Sequence, residues 1–166
     1  MSKMRSKPRK VRSWLAPIQY QVMRIITPAI ESYFASLQSR LGEAEPVSFR
    51  AVSIAKWLPQ PSQCHENVDY WIAGRHNCTR VRGWLTWGED ELGSCLFIAH
   101  SVVDDNGILY DITPIDPNTS PLMFLKHIGT VEAFDAMQPQ FSSATYPFLF
   151  ELPQESCELE EDAGYN

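Results

Sequence analysis

The sequence lacks a long apolar run. No stretch approaches the roughly 18 consecutive apolar residues that a membrane-spanning helix needs, and the chain also contains no internal repeat. These absences argue against a helical membrane protein and against a solenoid. With 166 residues, of which 44% are hydrophobic, the chain has enough apolar material for one compact domain.

Basic residues are scarce after the first 12 positions. Six of the 14 Lys and Arg lie in residues 1–12, whereas the remaining 154 residues carry 8 basic and 20 acidic side chains. The acidic body argues against nucleic acid as the main ligand of the folded domain. Residues 1–12 are predicted to be a disordered basic tail that an anionic partner could bind. Residues 153–166 are predicted to be an acidic flexible tail.

Cysteine is limited to four positions: Cys64, Cys78, Cys95 and Cys157. An even number permits two disulfides, but a chain of this length and apolar content does not need them. A reduced, cytoplasmic setting is therefore predicted. The folded part is expected to be a single domain over residues 13–152.

Hydrophobic spacing predicts helices first and strands later. Residues 13–42 have a helical pattern, which Thr27 and Pro28 divide into two helices or kink once. The other predicted helices are Cys64–Ile72, Leu122–Ile128 and Val131–Met137, and the predicted strands are a weak one at Val47–Ser53, then Val81–Trp87, Cys95–Val103, Ile108–Thr113 and Tyr146–Glu151. This order is typical of an α+β fold with an antiparallel sheet.

Cys64 begins a short amphipathic helix. It shares one apolar face with Val68 and Ile72, at i, i+4 and i+8. With Ser62 as the expected N-cap, Cys64 lies in the first turn, where free N–H groups and the helix dipole favour a thiolate. The alternative is that Cys64 is simply a small buried residue, as free cysteines often are.

His100 occupies a strand that is apolar on both faces, so its ring needs a buried hydrogen-bond partner. A four-residue turn at 104–107 places Asp111 directly opposite His100. A two-residue turn at 106–107 places Thr113 opposite and makes Asp111 the diagonal neighbour. Either turn puts His100 and Asp111 on one face. A structural His–Asp hydrogen bond in an ordinary hairpin is the competing interpretation.

A cysteine at a helix start, a histidine in a strand and an aspartate in the next strand form a familiar order. Together with the segments Ala99–Val103 and Gly107–Pro114, this order resembles the papain-like cysteine hydrolase superfamily. Within that superfamily, the chain is most similar to the transglutaminase-like and NlpC-like branches. The resemblance covers about residues 60–115.

The resemblance implies a papain-like core and attack on an amide or related acyl bond. Cys64 would be the nucleophile, His100 the base and Asp111 the orienting acid. Gln60, Gln63 and Trp84 are the predicted residues for oxyanion stabilisation and substrate binding. The implied partner is a protein or peptide substrate, and no cofactor is implied. His65 and Glu66 lie on other faces of the helix and need not share the role of Cys64.

Two alternatives remain open. The first is a small zinc site, although the chain lacks a Cys-x-x-Cys pair and a His-x-x-x-His pair. The second is a non-catalytic interaction module, in which tryptophans line a groove instead of filling the core. The basic cluster of Arg75, Arg80 and Arg82 follows the cysteine helix and could bind an acidic substrate group, and the alternative is a solvated loop and strand edge.

Overall fold

The computed structural model describes residues 25–114 and 123–148. The predicted tails at 1–12 and 153–166 lie outside these ranges, as does the beginning of the helical segment predicted from residue 13. Within the described ranges, none of the helices has the length and hydrophobicity required to cross a membrane.

Helices and strands together make an α+β fold, as the order of the sequence patterns predicted. The α-helices are α1 (Pro28–Ser39), α2 (Cys64–Ile72) and α3 (Val131–Met137), and the strands are β1 (Glu45–Pro46), β2 (Ser48–Phe49), β3 (Cys78–Thr86), β4 (Cys95–Asp105), β5 (Ile108–Asp111), β6 (Met123–Lys126) and β7 (Ser143–Tyr146).

Helix α1 begins where the sequence predicted. The Oγ1 of Thr27 accepts a hydrogen bond from the N–H of Ile30 at 3.3 Å, and Pro28 occupies the first turn. Phe34 and Leu37 are fully buried against the sheet. The N-cap and the apolar spacing therefore fix both the start of this helix and the face that it packs inward.

The strands form one sheet in the order β1-β6-β3-β4-β5-β2, and β7 also pairs with β4. The predicted antiparallel sheet is wrong for one pair, because β2 runs parallel to β5, whereas the other pairs are antiparallel. Side chains of alternate positions enter different cores. Ala99 and Trp84 lie in the larger core beneath α1 and α3, whereas Val102 and Leu85 lie in a smaller cluster with Phe124. Strand β4 is thus buried on both faces, as its continuous apolar sequence indicated.

One edge of β4 is covered by two different strands. Its residues 95–98 pair with β7, and its residues 103–105 pair with β5, while β3 follows the opposite edge over residues 98–105. Among the described residues, no strand pairs with this edge between the ends of β7 and β5, so the edge is open there to another element. The N-terminus of α2 lies at this opening, because the Sγ of Cys64 is 3.9 Å from the carbonyl oxygen of Ala99 in β4.

The helix predicted at Leu122–Ile128 is wrong for residues 123–126, which form strand β6. Phe124 and Leu125 are both buried, but in different cores, because β6 pairs with β3 and is covered on both faces. A continuous short apolar run does not distinguish such a strand from a buried helix. The strand predicted at Tyr146–Glu151 shares only Tyr146 with β7, which begins at Ser143, and residues 149–151 of that prediction lie outside the described ranges.

Candidate active site

Cys64 is the first residue of α2, as predicted, but the predicted cap is wrong. Gln63 is the N-cap residue, and its side chain makes no capping hydrogen bond. Ser62 has a φ of +61°, a left-handed conformation one residue too early for it to cap the helix. The first-turn N–H groups consequently have no side-chain cap to compete with a bound oxyanion.

The thiol of Cys64 faces the open edge of β4. Its side chain is buried, with 9% exposure, and its Sγ lies 3.9 Å from the carbonyl oxygen of Ala99. The N–H of Ala99 donates to Ser142 on the same edge, just before β7 begins. The beginning of α2 thus brings the thiol to the strand that carries His100.

His100 and Asp111 are joined by a buried hydrogen bond. The Nε2 of His100 donates to the Oδ2 of Asp111 at 2.7 Å, and both side chains are at least 94% buried. The Oδ1 of Asp111 accepts from the N–H of Thr113 at 2.8 Å. The carboxylate is therefore fixed by the backbone and in turn fixes the ring.

The hairpin has the two-residue turn, one of the two alternatives that the sequence left open. Val103 pairs with Tyr110 and Asp105 with Ile108, which leaves Asn106 and Gly107 as the turn. Their φ values are +54° and +88°, as a type I′ turn requires. Asp111 is consequently the diagonal neighbour of His100.

Proton transfer from the Cys64 thiol to the His100 imidazole is favoured at this site. Burial by itself raises the pKa of Cys64, but hydrogen bonds from His100 and His65 outweigh burial and lower the pKa to about 6. Burial lowers the pKa of His100, but the bonds to Asp111 and Cys64 outweigh it and raise the pKa to about 9. The directions of both shifts favour a thiolate and an imidazolium over the neutral pair.

The carbonyl and the two imidazoles around Cys64 favour different protonation states of its sulfur. The distance of 3.9 Å to the Ala99 carbonyl oxygen is a weak contact that only a thiol can make as a donor. The two imidazoles stabilise the thiolate instead, and hydrogen bonds to an ion are the stronger kind. The lowered pKa of Cys64 therefore favours the thiolate, and the contact with Ala99 shows only that the sulfur lies beside this carbonyl.

His65 contacts the thiol, which the sequence interpretation did not anticipate. A hydrogen bond between His65 and Cys64 contributes to the lowered pKa of the thiol, and the Nδ1 of His65 lies 2.6 Å from the Oγ of Ser101. Helical periodicity placed His65 on another face, which is true of the helix body. At the open edge of β4, however, adjacent residues of α2 reach adjacent residues of the strand.

The hydrogen bonds of Ser101 define the tautomer of His65. Arg82 can only donate, and its Nη1 gives a hydrogen bond to the Oγ of Ser101 at 2.7 Å. Ser101 is fully buried, so its hydroxyl proton is best used toward the Nδ1 of His65. The remaining proton of a neutral His65 is then on Nε2, the nitrogen left for the thiolate.

Arg82 is the buried cation behind this relay. It is 5% exposed, and it contacts Asp69 of α2 at 3.2 Å and Asp135 of α3 at 3.0 Å. Arg80 also contacts Asp69, at 3.2 Å, whereas Arg75 lies elsewhere on the surface. The three arginines therefore do not form one surface cluster, because Arg82 is buried and paired with Asp69 and Asp135.

Asn67 fixes the loop that precedes the helix. Its Oδ1 accepts from the N–H of Gln60 at 2.9 Å, and its Nδ2 donates to the Gln60 carbonyl at 2.7 Å. The same Nδ2 reaches the Oγ1 of Thr113 at 3.3 Å. Buried Asn67 therefore ties three chain segments together: the approach to Cys64, α2, and the end of the hairpin that carries Asp111.

Gln60, Gln63 and Trp84 have different surroundings. The Gln60 amide donates to the carbonyl of Leu58 at 2.9 Å, while the exposed side chain of Gln63 has no hydrogen bond within the described ranges. Trp84 is fully buried, and its Nε1 donates to the hydroxyl of Tyr33 at 2.7 Å. Its ring fills the larger core and, so placed, offers no surface to a substrate.

Gly83 leaves space for the Phe124 ring beside His100. It pairs directly with His100 across β3 and β4, and a Cβ there would lie 2.5 Å from the ring of Phe124. The Phe124 ring occupies this space and meets the His100 ring at a centroid distance of 6.5 Å. The missing side chain of Gly83 thus allows an apolar ring to shield the imidazole from water.

Metal ligands do not gather at this or another described site. Within residues 25–114 and 123–148, no three His, Cys, Asp or Glu side chains lie close enough together to hold a metal ion. The zinc alternative therefore has no ligand set in the described part of the chain.

Comparisons with known proteins leave the geometry to stand by itself. The chain matches no protein-family model, no curated protein and no solved structure.

Proposed function

We propose that the chain is a cysteine-dependent hydrolase or acyl transferase that acts on an amide bond of a protein or peptide, with a papain-like or transglutaminase-like arrangement of Cys64, His100 and Asp111. The observation that carries the proposal is which nitrogen of the His100 ring bonds to Asp111. Its Nε2 is bonded to Asp111 at 2.7 Å, so the other nitrogen, Nδ1, is the one that meets the thiol.

The first step is attack by the Cys64 thiolate on the carbonyl carbon. A sulfur–carbon bond forms, and the carbonyl electron pair moves to the oxygen. Because the lowered pKa of Cys64 favours the thiolate at neutral pH, no separate deprotonation is needed. The uncapped N–H groups in the first turn of α2 would stabilise the oxyanion, and the amide of Gln63 would add a donor.

The second step releases the amine. The electron pair on oxygen re-forms the carbonyl, the carbon–nitrogen bond breaks, and the Nδ1–H of His100 protonates the leaving nitrogen. His100 is then neutral and accepts a proton from water or from an acceptor amine as that molecule attacks the carbonyl carbon of the thioester. A new carbon–oxygen or carbon–nitrogen bond forms, the carbon–sulfur bond breaks, and the acyl product leaves with Cys64 restored as the thiolate beside protonated His100. Asp111 holds the ring in one orientation and tautomer throughout.

This mechanism predicts a bell-shaped dependence of kcat/KM on pH. Activity rises through about pH 6 as the thiolate forms and falls through about pH 9 as His100 loses its proton. Because the two groups interact strongly, these limits describe the pair.

Acyl-enzyme trapping tests the proposal. The protein is incubated with p-nitrophenyl acetate, and the acetylated residue is located by mass spectrometry of peptides. We expect acetyl transfer to Cys64, with release of p-nitrophenol, and loss of that label in Cys64→Ser and His100→Ala. Cys95→Ser is the matched control and should be labelled at Cys64 like the wild type. Equal labelling of Cys64 in the wild type and in His100→Ala would refute the catalytic assignment.

The fate of the acyl group distinguishes transfer from hydrolysis. Glutamine-containing peptides are supplied with and without a fluorescent primary amine. Incorporation of the amine that depends on Cys64 would identify a transferase, and release of ammonia without incorporation would identify an amidase.

A further inference from the structure

A cleft of about 460 Å³ lies at the other end of α2. Trp71 and Arg75 border it from the end of that helix and the turn that follows, and Cys78 and Tyr110 border it from β3 and β5. This volume is within the usual range for small-molecule sites. The cleft is therefore large enough for a ligand with several functional groups.

Two arginines of this cleft lie over aromatic rings. The guanidinium of Arg50 lies over the Tyr110 ring at 3.7 Å, and that of Arg75 lies over the Trp71 ring at 3.6 Å. The two rings are themselves joined, because the Nε1 of Trp71 donates to the Tyr110 hydroxyl at 2.9 Å. A cation–π contact restrains each guanidinium and leaves N–H groups for a ligand.

The positive charge of these arginines is poorly neutralised. Arg75 donates to the Trp71 carbonyl but has no carboxylate partner among the described residues. Among the described residues, the ion-pair partner of Arg50 is Asp105, which also lines the cleft. The 4.0 Å between Nη1 and Oδ2 is too long for a hydrogen bond. The chain as a whole has a net charge of −6, so two weakly paired cations in one concavity are unusual for this surface.

We infer that this cleft is a binding site for a small molecule bearing phosphate or carboxylate groups, which Arg50 and Arg75 would both contact. Planar guanidinium edges match the paired oxygens of both groups. Cys78 also lines the cleft, so an occupant would cover its free thiol. The inference does not depend on the chemistry of Cys64, because no residue is shared between the two sites.

Calorimetric titration with two probes tests the site and separates the two anion classes. Inorganic pyrophosphate represents phosphate ligands, and citrate represents carboxylate ligands. We expect saturable binding of at least one probe with one site per chain. Arg75→Gln and Arg50→Gln should each weaken that binding about tenfold, because each removes a charge-assisted hydrogen bond.

The control variant is Arg40→Gln, which removes the same charge from an arginine paired with Glu43 at 2.6 Å. It should leave the affinity unchanged. Equal weakening by Arg40→Gln and Arg75→Gln would mean that only net charge matters and would overturn the inference. Absence of saturable binding of both probes would overturn it as well.

Alkylation of Cys78 provides a local readout. A saturating concentration of the bound probe should slow iodoacetamide labelling of Cys78 several-fold and leave labelling of Cys64 unchanged. Slowing at both cysteines, or at neither, would contradict occupancy of this cleft. The readout also separates the two proposals, since Cys78 protection does not require that Cys64 be catalytic.

Discussion

Cys64 and Cys95 are both buried thiols on or beside β4, yet their pKa values are shifted in opposite directions. Burial raises the pKa of Cys95, and the nearby carboxylate of Glu89 raises it further. Burial also acts against the thiolate of Cys64, but hydrogen bonds from two imidazoles reverse its effect.

This contrast shows that burial alone does not make a cysteine reactive. The Cys95 side chain has no exposed surface and belongs to the large core, so it behaves as a small apolar residue. Cys64 is also buried, with 9% exposure, but it lies at the described opening between β5 and β7, the two strands that pair with one edge of β4. The neighbouring donors, and not the depth of burial, separate a structural thiol from a nucleophilic one.

The largest expected effect is the difference between these two cysteines in the wild-type protein. At pH 7 a thiol with a pKa of about 6 is mostly ionised, whereas Cys95 remains protonated. Iodoacetamide should therefore label Cys64 at least about tenfold faster than Cys95, even though a low-pKa thiolate is intrinsically less nucleophilic. Peptide mass spectrometry over time gives both rates in one sample. Similar rates at the two positions would remove the contrast.

His100→Ala should remove most of the difference. Without the imidazolium, burial dominates, and the alkylation midpoint of Cys64 should rise from about 6 to about 8 or above. The pH dependence of the labelling rate measures this midpoint. Asp111→Asn is the informative companion, because it keeps the shape of the acid but removes the charge that stabilises His100 as a cation. A midpoint that stays near 6 in His100→Ala would assign the thiolate to other groups.

The sequence predicted the parts of this site that follow simple periodicity. The position of Cys64 at a helix start follows from Pro59 and Pro61, which precede it, and from the apolar spacing that follows it. The shared face of His100 and Asp111 follows from strand alternation and an even-length turn. Each of these inferences uses local patterns, which the backbone of the fold preserves.

The missed parts depend on tertiary geometry. Nothing near His65 in the sequence indicates Ser101, and nothing near Ser101 indicates the buried Arg82. The relay exists because α2 begins at the open edge of β4, and that opening depends on how β5 and β7 divide the strand. Likewise, Met123–Lys126 could not be identified as a strand, because burial on both faces erases its alternation.

His65→Ala should have a smaller effect than His100→Ala. His65 contributes less than His100 to the lowered pKa of Cys64, and its loss leaves the imidazolium in place. We expect the alkylation midpoint to rise by about one pH unit. His65→Gln, which retains an N–H donor, should restore part of the loss. If His65→Ala matched the wild type, its ring would be a neighbour of the thiol without electrostatic influence.

Ser101→Ala tests the relay itself and should have the smallest effect on the thiol. Removing the hydroxyl frees the tautomer of His65, so the Nε2–H that faces the thiolate is populated only part of the time. We expect alkylation of Cys64 at pH 6 to slow about threefold. The same change leaves buried Arg82 without one acceptor, which should cost about 1–3 kcal/mol of unfolding free energy. Ser101→Thr keeps the hydroxyl and controls for packing, so it should preserve the alkylation rate. If Ser101→Ala lowered stability but left the alkylation rate unchanged, Arg82 and Ser101 would hold α2 and α3 on the sheet without affecting the charge of the nucleophile.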